Sequence, residues 1–183
     1  GLGGNIELIV SGSAALQPRL ARVFAAADIP VMEGYGLTET SPVIAVNDQR
    51  NKGFRIGTVG RPIRNVEVKI AEDGEILAKG PNVMLGYYKE PEKTKEVLNG
   101  DHFFHTGDIG ELDKDGFLKI TDRKKEMFKT SGGKYVAPQI IENTMKQSRF
   151  IEQIMVIGDG EKMPAALIQP NFEFIQEWAK RKN

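Results

Sequence analysis

The stretch MEGYGLTETSP, residues 32–42, brings several chemically capable side chains together. Tyr35, flanked by two glycines, offers a ring on which a planar base can stack. Thr38 and backbone N–H groups of this stretch can donate to phosphate oxygens, and Glu39 is a hard oxygen ligand suited to Mg²⁺. A strand-to-loop turn with a partly buried tyrosine would account for the same residues, so the motif alone leaves both interpretations open.

Two further stretches carry groups suited to a ribose phosphate. Asp108, in HTGD at 105–108, has a carboxylate that can accept both hydroxyls of a ribose, and Arg123, in DRKKE at 122–126, can add donors. A turn-capping aspartate and a solvated basic run are the structural alternatives. The small residues of SGSAAL, 11–16, let a backbone approach a ligand closely, although a plain strand-to-helix connection is the simpler explanation.

Composition and the remaining polar motifs exclude several classes of protein. The chain has 25 Lys+Arg and 25 Asp+Glu, so it lacks the basic excess of a non-specific nucleic-acid binder. The absence of cysteine excludes disulfides and thiolate metal sites, and no apolar run is long enough to span a membrane.

DKDG at 113–116 lacks calcium-loop spacing and predicts a hairpin turn. His102 and His105 have no third ligand nearby, which predicts a partly buried, hydrogen-bonded pair.

Apolar periodicity predicts the elements that would position these residues. Residues 6–10 form a branched apolar run typical of a buried strand, and Pro18 marks the first turn of an amphipathic helix. A second apolar run at 29–32 completes a strand–helix–strand order, which predicts a parallel unit. Ligands bind beyond the carboxyl ends of such strands, where both SGSAA and GYGLTET fall.

The rest of the chain predicts antiparallel hairpins in its middle part and a mixture of helices and strands after them. Alternating residues around Asp73-Gly74 and Asp115-Gly116 predict two hairpins, and Asn171 is a candidate cap for a final helix. The predicted fold class is α/β plus a β-barrel subdomain plus a small α+β lid. The predicted domains are 1–52, the end of an α/β nucleotide-binding subdomain; 53–122, an antiparallel β-barrel-like subdomain; and 123–183, a truncated C-terminal lid.

Five motifs in a fixed order closely resemble the adenylate-forming superfamily, which includes acyl-CoA synthetases, firefly-type luciferases and peptide-synthetase adenylation domains. In chain order they are GYGLTETSP, GTVGRPI, GEILAKGPNVMLGYYKEPEKT, HTGDIG and DRKKEMFKTSGGKYVAPQIIE. RKKEMFKTSGGKYVAPQ and the ending ALIQPNFEFIQEWAK are most similar to the long-chain fatty acid–CoA ligases. The resemblance covers nearly the whole chain and implies part of an adenylate-forming fold.

The resemblance also implies a two-step reaction that uses ATP, Mg²⁺ and CoA. A fatty acid carboxylate attacks the α-phosphate of Mg·ATP and gives acyl-AMP and pyrophosphate. The CoA thiol then displaces AMP and forms the thioester. Such transfers depend mostly on positioning and charge stabilisation, so a metal-binding carboxylate, hydroxyl donors and cations are the groups they need.

Residue roles follow from the same resemblance. Tyr35 would stack on adenine, with Gly36 beside it in the nucleotide site. Thr38 and Glu39, the catalytic candidates, would hold the α-phosphate and Mg²⁺. Asp108 would bind the ribose hydroxyls. The remaining implied positions are Gly12, Ser13, Ala14 and Ala15 along the adenine, Arg123 assisting Asp108, Lys125 as the hinge of the lid, and Gly132 beside the pantetheine arm of CoA.

Some family features are not found in this sequence. They are the glycine-rich phosphate loop, most of the acyl pocket and a C-terminal lysine that contacts the substrate carboxylate. Ala15 also stands where the family often has proline. We therefore expect an internal or C-terminal fragment that does not activate fatty acids by itself.

Two alternatives stay open at the level of sequence. One is another adenylating branch, such as an aryl or short-chain acid–CoA ligase or an acyl-AMP ligase; the other is a non-catalytic nucleotide-binding module. The expected partners are small molecules (fatty acid, ATP and CoA) and no nucleic acid. The expected location is the cytoplasm, with peripheral contact at the inner face of a membrane in the parent protein.

Overall fold

The computed structural model describes residues 4–13, 15–98 and 100–182. The chain divides into two compact units, Gly1–Ile120 and Thr121–Asn183, and each is described by itself. The domain limits predicted at 52 and 122 stay predictions.

In its described residues, the first unit contains two α-helices and two four-stranded sheets, ordered β1-β2-β3-β4 and β5-β6-β7-β8. In chain order its elements are β1 (Ile9–Ser11), α1 (Pro18–Ala26), β2 (Val31–Gly36), β3 (Val43–Val46), β4 (Arg61–Pro62), β5 (Glu67–Ile70), β6 (Glu75–Lys79), α2 (Pro91–Val97), β7 (Phe104–Leu112) and β8 (Leu118–Arg123), whose last three residues belong to the second unit. Short 3₁₀ turns lie at Thr38–Thr40 and Arg50–Lys52.

The predicted parallel strand–helix–strand unit is confirmed. β1 pairs with β2 in parallel, with Ile9 opposite Val31, and α1 begins at Pro18 as expected for a proline in the first turn. The first strand is shorter than predicted and is displaced, because its partner starts only at Val31. Ile6 and Leu8 therefore lie outside the strand and are exposed.

The core of the first unit lies between its two sheets. It is a cluster of fully buried side chains: Ile44 and Ala45 from β3, Ile76 and Ala78 from β6, and Leu118 from β8. Backbone hydrogen bonds also join the sheets near this cluster, since the Leu118 N–H donates to the Gly60 carbonyl over 2.8 Å. The two sheets are therefore fixed against each other, and residues on β2 and β7 can share one site.

Both predicted hairpin turns are present. Gly74 adopts φ +86° between β5 and β6, and the Asp73 carboxylate accepts the Glu75 N–H at 3.1 Å. At the second turn, Asp113 accepts the N–H groups of Asp115 and Phe117 at 2.8 and 3.0 Å. The DKDG carboxylate is thus used by the turn itself, as a hairpin predicts.

The second unit is a small α+β arrangement, which confirms the predicted class of the C-terminal part. Its further elements are β9 (Phe128–Lys129), β10 (Tyr135–Val136), α3 (Pro138–Met145), β11 (Ile151–Ile157), β12 (Ala165–Pro170) and α4 (Phe172–Lys182). β11 and β12 form an antiparallel pair. Phe150 contacts the rings of Phe174 and Trp178 edge-on, at centroid distances of 5.1 and 5.7 Å, and these contacts attach α4.

Within the described ranges, no helix combines the length and apolar character that crossing a membrane requires.

We predict that Asn171 caps α4, because its Oδ1 accepts the Phe174 N–H at 2.9 Å. Asn171→Ala removes the acceptor and should cost about 1 kcal/mol of helix stability, so hydrogen exchange at the Phe174 amide should become about fivefold faster. Asn171→Ser keeps an oxygen at the cap and serves as the control. Equal exchange in the alanine and serine variants would contradict the assignment.

Candidate functional site

Tyr35 and Asp108, separated by 73 residues of sequence, meet in the first unit. The Tyr35 hydroxyl donates to Asp108 Oδ2 over 2.7 Å. Asp108 is 7% exposed, and the half-buried Tyr35 ring packs against the core cluster. This charge-assisted hydrogen bond fixes an aromatic ring beside a carboxylate, which is the pair that the sequence assigns to adenine and ribose.

The backbone after Tyr35 turns sharply and presents Thr38 and Glu39. Thr40, fully buried, organises the turn: its hydroxyl accepts the Leu37 N–H at 3.0 Å and lies 2.8 Å from the Pro42 carbonyl oxygen. Gly36 is required by close packing, since a Cβ there would lie 1.6 Å from that same oxygen. Thr38 is exposed at the start of the turn, whereas Glu39 is half-buried.

The segment 82–87 holds the Glu39 turn from one side. Tyr87 donates its hydroxyl to Glu39 Oε1 over 3.0 Å, and the Met84 N–H donates to the Glu39 carbonyl over 2.7 Å. Asn82 donates its amide to the carbonyl groups of Thr40 and Val43 at 3.0 and 2.8 Å. Burial, then the hydrogen bond and charge of Glu39, raise the pKa of Tyr87, so this phenol stays a proton donor.

The predicted adenine loop lies next to β2. A Cβ on Gly12 would lie 3.9 Å from the Gly34 carbonyl oxygen, so the loop passes within van der Waals distance of the strand that carries Tyr35. Gly12, Ser13 and Ala15 are exposed, and Ser13 has φ +67°. Ala14 lies outside the described residues.

A buried glutamate ties this loop to β2. Glu33 accepts the Leu16 N–H at 3.1 Å and is 7% exposed. Burial raises the pKa of Glu33 above its ordinary value of 4.5, while the N–H groups of Leu16 and Gly57 lower it in part. The predicted adenine loop and the Tyr35 strand are therefore linked through one carboxylate.

The three remaining predicted residues belong to the second unit. Arg123 ends β8 and is exposed, Lys125 is exposed in the turn that follows, and Gly132 is exposed between β9 and β10. The Arg123 N–H donates to Asp122 Oδ1 over 2.7 Å. Asp122 is fully buried, and burial raises the pKa of its carboxyl group. Lys125, the predicted hinge, therefore lies three residues after a fully buried aspartate.

The two histidines do not form the expected pair. His105 is half-buried and its Nδ1 lies 3.0 Å from Glu75 Oε2, but His102 is exposed with φ +60°. His102 has a left-handed backbone conformation and precedes the buried Phe103 and Phe104. In the described part of the chain, no group of three or more His, Cys, Asp or Glu side chains could hold a metal ion.

Comparison with known families agrees with this geometry. Residues 1–88 match the AMP-binding enzyme family, and residues 126–182 match the C-terminal domain of the AMP-binding enzymes. The chain belongs to the AMP-binding, adenylate-forming enzymes. Its fold is accordingly a partial adenylate-forming fold, as the motif order predicted.

Relatives of this AMP-binding chain include long-chain fatty acid–CoA ligases. It is 41% identical over 182 residues to long-chain-fatty-acid–CoA ligase FadD15 of Mycobacterium bovis, covering 100% of this chain and 30% of that protein. It is 41% identical over 194 residues to long chain acyl-CoA synthetase 1 of Arabidopsis thaliana, covering 98% and 29%. The chain thus spans about 30% of the length of these relatives.

A solved structure with a similar fold contains nucleotide and metal. O-succinylbenzoate coenzyme A synthetase from Bacillus subtilis, in complex with ATP and magnesium ion, is 28% identical to this AMP-binding chain with a TM-score of 0.77. The similarity covers 90% of this chain and 36% of that structure.

Sequence reasoning missed the residues that support the site, such as Glu33, Glu75 and Tyr87. Each is an ordinary polar residue in a strand or loop, and its role depends on contacts with distant parts of the chain. The sequence signal for Glu75 and Tyr87 was their position inside GEILAKGPNVMLGYYKEPEKT, one of the motifs of the resemblance, whereas Glu33 lies outside the five motifs.

We predict that Tyr87→Phe weakens the Glu39 turn, because it removes one hydrogen bond to a carboxylate and leaves the ring in place. The loss should be about 1 kcal/mol, which makes hydrogen exchange at the Met84 amide about fivefold faster. Tyr88→Phe is the matched control, since Tyr88 is 85% exposed. The assignment is wrong if the two variants exchange at the same rate.

We predict a pH dependence from Glu33. Because its pKa is raised in the folded state, the unfolded chain releases this proton first, and stability falls as pH rises from 4.5 through the folded-state pKa. Glu33→Gln has no such proton, so its urea midpoint should gain on the wild type over that interval. Exposed Glu72→Gln is the control. A constant difference between Glu33→Gln and wild type from acid to neutral pH would refute the assignment.

Proposed function

We propose that this chain forms part of an ATP-dependent long-chain fatty acid–CoA ligase. The observation that carries the proposal is the partly buried hydrogen bond between Tyr35 on β2 and Asp108 on β7, which joins two sheets. In the proposed reaction, a fatty acid carboxylate and ATP give acyl-AMP and pyrophosphate, and CoA then receives the acyl group.

The nucleotide would bind with its adenine on Tyr35 and its ribose on Asp108. An aromatic ring held by its own hydroxyl is a rigid stacking surface. The carboxylate has several acceptor positions, so it can accept hydrogen bonds from the ribose hydroxyls while it also accepts one from the Tyr35 hydroxyl. The adjacent loop of Gly12, Ser13 and Ala15, with Ala14, would line the base. Exposed Thr38 would donate to the α-phosphate.

The Glu39 carboxylate is suited to bind Mg²⁺. Its Oε1 is held by Tyr87, and among the described residues its carboxylate receives no second side-chain hydrogen bond. Mg²⁺ commonly takes one or two protein carboxylates together with substrate phosphates, so a single oriented glutamate is a sufficient protein contribution. When bound, the ion would neutralise charge on the phosphates.

Sequence identity supports the fatty acid branch over the other adenylating branches. The chain is 41% identical to relatives named for long-chain acids but 28% identical to the O-succinylbenzoate enzyme.

The second unit would contribute three further residues. Arg123 would assist in binding the ribose, Lys125 would act as the hinge, and Gly132 would border the pantetheine arm of CoA. Cytoplasmic location and peripheral membrane contact of the longer enzyme stay predictions.

The proposal predicts that AMP binds through Asp108. Asp108→Asn should weaken AMP binding at least about tenfold, because hydrogen bonds to a charged acceptor contribute about 1.5–3 kcal/mol. Calorimetric or NMR titration of the 183-residue chain with AMP measures this. Asp28→Asn, the same change at an exposed position, is the control. AMP affinity that is equal in the two variants would reject the ribose assignment.

A further inference from the structure

The strand that carries Asp108, β7, has an irregular pairing with β6 immediately before this residue. In the pairing of β6 with β7, Leu77 faces His105, but Glu75 faces Ile109. Three residues of β7 (Thr106, Gly107 and Asp108) therefore oppose the single residue Ile76. This bulge contains two extra residues and re-aims the side chain of Asp108, as bulges beside functional sites commonly do.

The bulge needs substitutes for its lost ladder hydrogen bonds, and Glu75 supplies one of them to the backbone while it also contacts a side chain of β7. Glu75 Oε1 accepts the Gly107 N–H at 2.9 Å, and Oε2 lies 3.0 Å from His105 Nδ1. Gly107 has φ +73°, a conformation that favours glycine. Glu75 is 4% exposed, so its carboxylate faces the bulge rather than solvent.

Thr106 completes the support from inside the bulge. Its hydroxyl donates to the Ile76 carbonyl over 2.8 Å and accepts the Asp108 N–H at 3.1 Å. The backbone on both sides of Gly107 is thus fixed by side chains, and the direction of Asp108 depends on them. Asp108 then reaches Tyr35 over 2.7 Å.

We infer that Glu75 is a positioning residue that sets the ribose selectivity of the site by holding the β7 bulge. This inference rests on the proposed function, because it takes Asp108 as the acceptor for the ribose hydroxyls. In this proposal Glu75 acts through the backbone of β7 and does not itself touch the nucleotide. A purely structural role would instead make Glu75 important for stability and indifferent to which hydroxyls the ligand carries.

Two conservative variants separate geometry from charge. Glu75→Gln keeps the length of the side chain, an oxygen for Gly107 and an amide that can donate to His105. Glu75→Asp keeps the charge but is one methylene shorter, so it cannot span both partners. Ile76→Val, which removes a core methyl from the same strand, is a control for destabilisation alone.

The measurement is the ratio of affinities for AMP and 2′,3′-dideoxy-AMP, obtained by NMR titration of the 183-residue chain and its variants. The wild type should prefer AMP, and Asp108→Asn should lose most of that preference. Glu75→Asp should lower the ratio at least about threefold through weaker AMP binding, with dideoxy-AMP binding unchanged. Glu75→Gln and Ile76→Val should keep the wild-type ratio.

The outcomes distinguish the two proposals. A wild-type ratio near one refutes the ribose contact of Asp108, and the role of Glu75 is refuted with it. A ratio that falls in Asp108→Asn but persists in Glu75→Asp overturns only the role of Glu75. If Glu75→Asp does not fold, a Glu75→Gln ratio reduced as far as that of Asp108→Asn also overturns the inference, because geometry would then not suffice.

Discussion

The hydrogen bond between Tyr35 and Asp108 is the interaction on which the proposed site depends. It joins β2, which belongs to a sheet with one parallel pair, to β7, which belongs to an antiparallel sheet. The two strands can meet only because the core cluster of Ile44, Ile76 and Leu118 holds the sheets together. The site is therefore a consequence of sheet packing, and local sequence supplies only its side chains.

Support for the site comes from polar residues at some distance along the chain. Glu33 holds the loop after β1, Glu75 holds the bulge before Asp108, and Tyr87 holds the Glu39 carboxylate. Each of these contacts places a buried or half-buried polar group against a backbone N–H or a second polar side chain. Such fixed groups leave the ligand-facing side chains with few alternative directions, which is the requirement for binding a polar ligand.

Local rules predicted the elements whose signals are local. Proline at the start of α1, the Asp73-Gly74 and Asp115-Gly116 turns, and the Asn171 cap each act within a few residues, and each is present. Helix α2 was not predicted, because it buries none of its side chains and so lacks an apolar period. The β7 bulge was also not predictable, since it depends on the carboxylate of Glu75 on another strand. The resemblance to the family implied the candidate site residues, but the residues that support them are defined by contacts that form only in the folded chain.

The most direct test of this account is a crystal structure of the chain with bound AMP. We expect the adenine to stack on Tyr35 and both ribose hydroxyls to lie within hydrogen-bond distance of the Asp108 carboxylate, with the Tyr35–Asp108 hydrogen bond intact. A nucleotide bound elsewhere on the first unit, or a structure in which Tyr35 and Asp108 lie apart, would contradict the claim that this one contact builds the site.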